Sequence, residues 1–173
     1  MKVKSDISLQ AFLVYLKLGA ITSEELGKLK SVRLPRKAIR DVKTMKWSDF
    51  IEIETYHADF RNSITFLSKL IKESEYKVSL MRVDRAYPLW RFYSIEIQKI
   101  MKGLNNTNSE LPKGKSKKSM DVFGLTNITD FLAKAKNTTL DDVDTWSVSK
   151  VIVEYTREVY IFINQLDKIK KRD

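Results

Sequence analysis

The chain of 173 residues has no cysteine, a single histidine, five glycines and three prolines. Without cysteine it cannot form disulfides, thiolate nucleophiles or cysteine-ligated metal sites. The scarcity of glycine and proline argues against a turn-rich β fold and favours helices. No apolar run approaches the roughly 20 residues that a membrane-spanning helix needs. The composition therefore predicts a folded, mainly helical chain that does not enter a membrane.

The residue patterns that usually accompany catalysis are also missing. A serine–histidine relay would have to use His57, and no nucleophile-elbow or phosphate-binding glycine motif is present. The acidic cluster of Asp141, Asp142 and Asp144 lies at a predicted helix start, where capping and the helix dipole account for it. The sequence predicts that the protein is not an enzyme and holds neither a metal nor another cofactor.

The positive charge is unevenly distributed. The formal net charge is +10, of which residues 1–46 contribute +7 and residues 104–120 contribute +3. A localised basic surface indicates a polyanion or an acidic partner, although solubility alone would also account for it. The residues that we expect to contact a polyanion lie in these two stretches: Arg33, Arg36, Lys37, Arg40, Lys113, Lys115, Lys117 and Lys118.

Apolar residues at helical spacing predict most of the secondary structure. Helices are expected over residues 7–18, from a capping box at Thr22, from an N-cap at Ser48, over 60–71, and from Pro88 to Met101. A second capping box, Thr139 to Asp142, is expected to open a single turn before the last long helix. Residues 75–83 fit either a short strand or a loop. Residues 104–119 are polar and lysine-rich, which predicts a flexible basic loop. The whole is expected to be one all-α domain, a helical bundle over residues 1–173.

The strongest signal is the stretch from Trp146 to Lys171. Its apolar residues recur at steps of four and three for three heptads, with no proline or glycine between them. A long helix with so much apolar surface must pack on other helices, of this chain or of another copy. We therefore predict an oligomer interface on its apolar seam, formed by Val148, Ile152, Tyr155, Val159, Phe162 and Leu166.

Two patches of the sequence resemble a family. The first is Met45 to Tyr56, MKWSDFIEIETY; the second comprises residues 123–125, then 138–146 with its Leu-Asp-x-Val motif, and 148–155. A capped Phe-Ile-Glu helix followed by a helical middle and a long terminal helix is similar to small helical proteins encoded among the virion and tail-assembly genes of tailed bacteriophages. The chain differs from the usual small assembly protein in its basic N-terminal quarter and in residues 104–119.

The resemblance implies a structural role in a virion that is assembled in the host cytoplasm. We expect a head–tail connector or ring component, associated with the portal, that binds copies of itself and other virion proteins around the DNA channel. Contact with DNA would then be without sequence specificity. Two alternatives are a tail-assembly chaperone and a basic DNA-binding protein that the phage packages or expresses.

Overall fold

A computed structural model describes residues 7–21, 29, 41–111 and 124–170. The described residues form α-helices and two short 3-10 helices, with no strand among them, which confirms the all-α prediction. The α-helices are α1 (Leu9–Lys17), α2 (Trp47–Glu54), α3 (Ser63–Ile71), α4 (Glu75–Ser79), α5 (Val83–Ser109), α6 (Leu125–Lys136), α7 (Leu140–Thr145) and α8 (Val148–Lys170). The 3-10 helices are Val42–Thr44 and Phe60–Asn62.

The longest helix, α5, differs most from its prediction. It begins at Val83 rather than at Pro88, so the proline lies inside the helix. The early turns are nevertheless stable because Val83, Ala86 and Tyr87 are buried. At the other end, α5 continues past Gly103 to Ser109 because Leu104 is also buried. Residues 104–109 are therefore helical, and the prediction of a loop from residue 104 is wrong for them.

Two further elements differ from the sequence predictions, and one capping motif agrees with them. The segment that fitted a strand or a loop contains the short helix α4, with Ser74 as its N-cap. Helix α2 begins at Trp47, so Ser48 lies in its first turn and is not the N-cap. The Thr139 capping box is confirmed, since the Thr139 side chain accepts from the Asp142 backbone and the Asp142 carboxylate accepts from the Thr139 backbone. The capping box at Thr22 lies outside the described residues.

The chain divides into two compact units, each made of two separate segments. The first comprises residues 1–40 and 53–97, and the second comprises residues 41–52 and 98–173. Neither unit is one continuous stretch of chain, and the single-domain expectation stays a prediction.

In the first unit, the start of α1 is bonded to the corner between α4 and α5. The Leu9 amide donates to the Met81 carbonyl at 2.7 Å, and the Val83 amide donates to the Ile7 carbonyl at 3.0 Å. Behind this corner, the ring of Phe60 packs edge-on against Phe12, Tyr87 and Trp90, with ring centroids 4.9 to 5.9 Å apart. The aromatic residues of α5 thus form core, as their helical spacing indicates.

In the second unit, the start of α2 is bonded in the same way to the corner between α7 and α8. The Trp47 amide donates to the Trp146 carbonyl at 2.8 Å, and the Val148 amide donates to the Met45 carbonyl at 2.9 Å. Trp47 stacks on Phe50, with ring centroids 5.4 Å apart. Both side chains are fully buried, and they anchor α2 in the core of this unit.

The two units repeat the same local structure, although their sequences show no evident repeat. Residue i of the first unit corresponds to residue i + 65 of the second, as Lys72 does to Asn137 and Val83 to Val148. Lys72 and Asn137 are the two non-glycine residues with positive φ in the described chain (56° and 50°), and each ends a helix in the left-handed conformation. Helix α2 corresponds to α1 with an offset of 38, because Trp47 and Leu9 donate the matching bonds.

Candidate interaction surface on the C-terminal helix

The N-terminal half of α8, residues 148–159, is built into the core of the second unit. One face is fully buried by Val148, Val151, Tyr155 and Val159. This face packs on α6 and on the 3-10 helix Val42–Thr44. The apolar seam that the sequence predicts is therefore used inside the chain along the first three turns of the helix.

Tyr155 is the central residue of this packed half. Its hydroxyl donates a hydrogen bond to Asn108 Oδ1 near the end of α5, and the ring of Phe131 packs edge-on against it at 5.5 Å. Burial raises the pKa of the Tyr155 phenol to about 12 because the phenolate would be separated from water. The bond joins two helices within the second unit and holds the end of α5 against α8.

An ion cluster fixes the side of α8 that faces α6. Lys136 Nζ lies 2.6 Å from a carboxylate oxygen of Glu154 and 2.5 Å from one of Glu158, and the three side chains are between 15% and 23% exposed. The bonds to Glu154 and Glu158 raise the pKa of Lys136, and the bond from Lys136 lowers the pKa of Glu154. The arrangement is structural: one cation at the end of α6 holds two carboxylates one helical turn apart.

Beyond Val159, no described side chain of α8 is buried. Tyr160 is 51% exposed, Phe162 43% and Ile169 57%, while Ile163 and Leu166 are half-buried. Six large apolar residues lie within the ten positions 160–169, since Ile161 is also 39% exposed, and Phe162, Ile163, Leu166 and Ile169 continue the face that is buried earlier in the helix. We call residues 160–169 of α8 the tail. Exposed apolar surface of this density marks a protein interaction site more often than an ordinary surface.

The six residues that were predicted to form an oligomer interface fall into two groups, one buried in the core and one accessible to another chain. Val148, Tyr155 and Val159 have no accessible surface, so they form the core of the unit, and the interface prediction is corrected for them. The periodicity could not show this because a core seam and an interface seam have the same spacing. Ile152 and Leu166 are half-buried and Phe162 is exposed, so these three can still contact another chain.

All eight residues predicted to contact a polyanion, Arg33, Arg36, Lys37, Arg40, Lys113, Lys115, Lys117 and Lys118, lie outside the described residues. Their role stays a prediction from charge alone.

The candidate catalytic and metal-binding groups form no site in the described chain. His57 is 8% exposed and lies against the backbone carbonyl of Glu54, while its own carbonyl accepts a bond from Ser94 Oγ at 2.8 Å. His57 is thus a buried residue that lies among backbone groups. Among the described residues no cluster of three metal-ligating side chains occurs, and no helix there is long and apolar enough to span a membrane.

The acidic cluster takes part in capping. Side-chain bonds from Thr139 and Thr138 lower the pKa of Asp142, as expected for a capping carboxylate. Burial, together with the charge of Asp141, raises the pKa of Asp144. Asp144 borders a hollow of about 270 Å³ between α2, α6 and α7, which also contains Ser48, Thr129 and Asp130.

No family model, curated protein or solved structure matches the chain.

Proposed function

We propose that the protein is a non-catalytic structural subunit that assembles in several copies through the tail of α8. In the setting that the sequence resemblance implies, it is a component of a tailed bacteriophage particle, a head–tail connector or ring protein associated with the portal. Its partners are then copies of itself and neighbouring virion proteins.

The observation that carries the proposal is the change of environment along α8. The buried residues Val151, Tyr155 and Val159 show that this helix face packs on protein, and the same face continues into the tail through Phe162 and Leu166. In the tail, Phe162 is 43% exposed and Ile169 57%. A helix that holds its apolar periodicity beyond its own core is built to pack on something outside that core.

The two alternatives make different use of this helix. A tail-assembly chaperone would use the tail to bind a client transiently and would be absent from the finished particle. A DNA-binding protein would use the basic residues, and its affinity for DNA would fall steeply with salt. The exposed apolar tail supports a protein–protein contact over DNA binding, and presence in the finished particle distinguishes the structural subunit from the chaperone.

The test is the solution mass of the purified protein, measured by light scattering at low and at high salt. We expect a multiple of the 20.2 kDa chain that persists at high salt, because apolar contacts are not weakened by ions. Phe162→Asp should lower the mass, and Asn164→Asp, which adds the same charge at an exposed polar site of the tail, should not. A parent protein that stays a single chain at every concentration would contradict self-assembly.

A further inference from the structure

The hollow of about 270 Å³ beside Asp144 is lined by two carboxylates, three hydroxyls and two apolar side chains. Asp130 and Asp144 supply the carboxylates, and Ile51 and Leu140 supply the apolar walls. A second hollow, of about 470 Å³, shares Asp130 and Leu140 with the first and continues along α6 past Lys134. The two hollows form one groove in the second unit, which we call the α6 groove, and its negative charge lies at the Asp144 end.

One carboxylate oxygen in the α6 groove is buried without a partner. Asp144 Oδ1 has almost no accessible surface, and it accepts no hydrogen bond within the described chain. Burial, together with the charge of Asp141, raises the pKa of Asp144, so the fold disfavours the ionised form of this side chain. A buried acceptor without a partner lowers the stability of a protein, and its presence therefore needs an explanation.

The first unit shows how the same position is filled when its role is only structural. With the offset of 65, the N-caps Ser74 and Thr139 correspond to each other, and Ser79 of α4 corresponds to Asp144 of α7. The Ser79 hydroxyl is buried and donates a 2.7 Å hydrogen bond to the Tyr76 carbonyl of its own helix. A small hydroxyl thus satisfies this position, and the local structure does not require a carboxylate there.

The positions that border the α6 groove are bridged in the first unit. Thr65 and Glu75 correspond to Asp130 and Leu140, and Thr65 Oγ1 donates a 2.8 Å hydrogen bond to Glu75 Oε1. This bond joins α3 to α4 across the entrance. The side chain of Leu140 cannot form such a bond with Asp130, so the α6 groove stays open.

We propose that the α6 groove binds a lysine or arginine side chain of another protein, with its cationic group on Asp144 and Asp130. The ammonium or guanidinium group supplies the hydrogen bond that Asp144 Oδ1 lacks, and such a charged bond is stronger than a neutral one. Ile51 and Leu140 cover the alkyl stem, because the stems of these residues pack on apolar surfaces while their charged ends stay polar.

The size of the hollow favours a single side chain over a small-molecule ligand. At about 270 Å³, the hollow at Asp144 is smaller than the range of about 300 to 1,000 Å³ that small-molecule pockets occupy. The second hollow gives room for the neighbouring residues of the bound segment. This site lies apart from the tail, and it does not depend on the proposed function.

Peptide sets with one fixed central residue and randomised flanks test the proposal. Fluorescence anisotropy measures the binding of lysine-, arginine- and glutamine-centred sets to the full chain. We expect the lysine or arginine set to bind at least tenfold more tightly than the glutamine set. Asp144→Asn, which keeps the shape and removes the charge, should abolish this preference. Asp141→Asn removes the same charge from an exposed position of α7 and should retain it.

Asp144→Ser separates a binding role from a structural one. It introduces the residue of the first unit, whose hydroxyl can bond to the Asp141 carbonyl as Ser79 bonds to that of Tyr76. We expect a melting temperature at or above that of the parent, together with the loss of the preference for basic peptides. A lower melting temperature would show that folding requires Asp144 and would overturn the proposal.

Four other results would also overturn the proposal. Equal binding of the three peptide sets, or a preference that survives in Asp144→Asn, would show that the groove does not read a basic side chain. Displacement of the peptide at constant ionic strength, by n-butylammonium at the peptide's own Kd or by micromolar calcium, would indicate a small amine or a metal ion instead. A lower solution mass for Asp144→Asn than for the parent would place a second copy of the chain in the groove.

Discussion

The indole Nε1 of Trp47 donates a 2.9 Å hydrogen bond to Thr129 Oγ1, across 82 positions of the sequence. Both residues are buried, and the bond joins α2 to α6 within the second unit. A polar group of a fully buried tryptophan needs a partner, and here one threonine provides it. The Thr129 oxygen also lies 3.5 Å from the Leu125 carbonyl, so it acts as acceptor and donor at once.

Trp47→Phe removes this donor and should lower the free energy of unfolding by about 1 to 2 kcal/mol beyond the loss of packing. Trp90→Phe is the matched control, because the buried Nε1 of Trp90 has no hydrogen-bond partner within the described chain. Urea denaturation of the two variants measures the difference. Equal losses for both would show that the bond to Thr129 adds nothing to stability.

The boundary between core and tail on α8 can be located with one substitution on each side. Val159→Asp places an unpaired charge in the core and should destabilise the protein by about 3 to 5 kcal/mol. Phe162→Asp, one helical turn later, should change the stability of the dissociated chain by less than about 0.5 kcal/mol. Denaturation at low protein concentration compares the two, and similar losses would mean that the tail is packed inside the chain.

The Lys136 cluster makes stability depend on pH in two windows. The lowered pKa of Glu154 contributes stability that is present above its unfolded pKa and lost as the pH falls through the folded one. The raised pKa of Lys136 contributes stability that is present below 10.5 and lost as the pH rises through its folded value.

Lys136→Met should therefore lower the melting temperature most at neutral pH. In this variant the melting temperature should also fall less steeply as the pH is lowered. Lys134→Met, an exposed position on the same helix, is the control. Melting curves from acid to alkaline pH measure both, and parallel profiles for the parent and Lys136→Met would rule out a contribution from the cluster.

The two left-handed helix ends give a matched pair of glycine substitutions. Lysine is strained at φ 56°, and Lys72→Gly should raise the free energy of unfolding by about 0.5 to 1 kcal/mol. Asparagine tolerates the conformation better, so Asn137→Gly at φ 50° should gain less. Thermal denaturation compares the stability of the two variants. A larger gain in stability for Asn137→Gly than for Lys72→Gly would contradict the argument that lysine is the more strained residue.

The sequence predicts those features that depend on local chemistry. The Thr139 capping box, the helical class and the existence of α8 follow from residue types and spacing within a few turns. The residue at which α5 ends could not be predicted from local chemistry, because the burial of Leu104 outweighs the helix-stopping tendency of Gly103. A glycine inside a helix destabilises the helix by at most about 1 kcal/mol, and the burial of one leucine side chain offsets this loss.

The candidate site was predictable only in part. The seam of α8 is visible in the sequence, but Val159 and Phe162 belong to the same periodic pattern and differ only in what lies opposite them.

The interleaving of the two units has a consequence for biosynthesis. Helix α2 leaves the ribosome long before α6 and the corner between α7 and α8, to which Trp47 is hydrogen-bonded in the folded chain. The nascent chain therefore carries this apolar helix while residues 53–97, the second segment of the first unit, are translated. Ribosome-stalled chains arrested before and after α8 would show when Trp47 becomes protected from solvent.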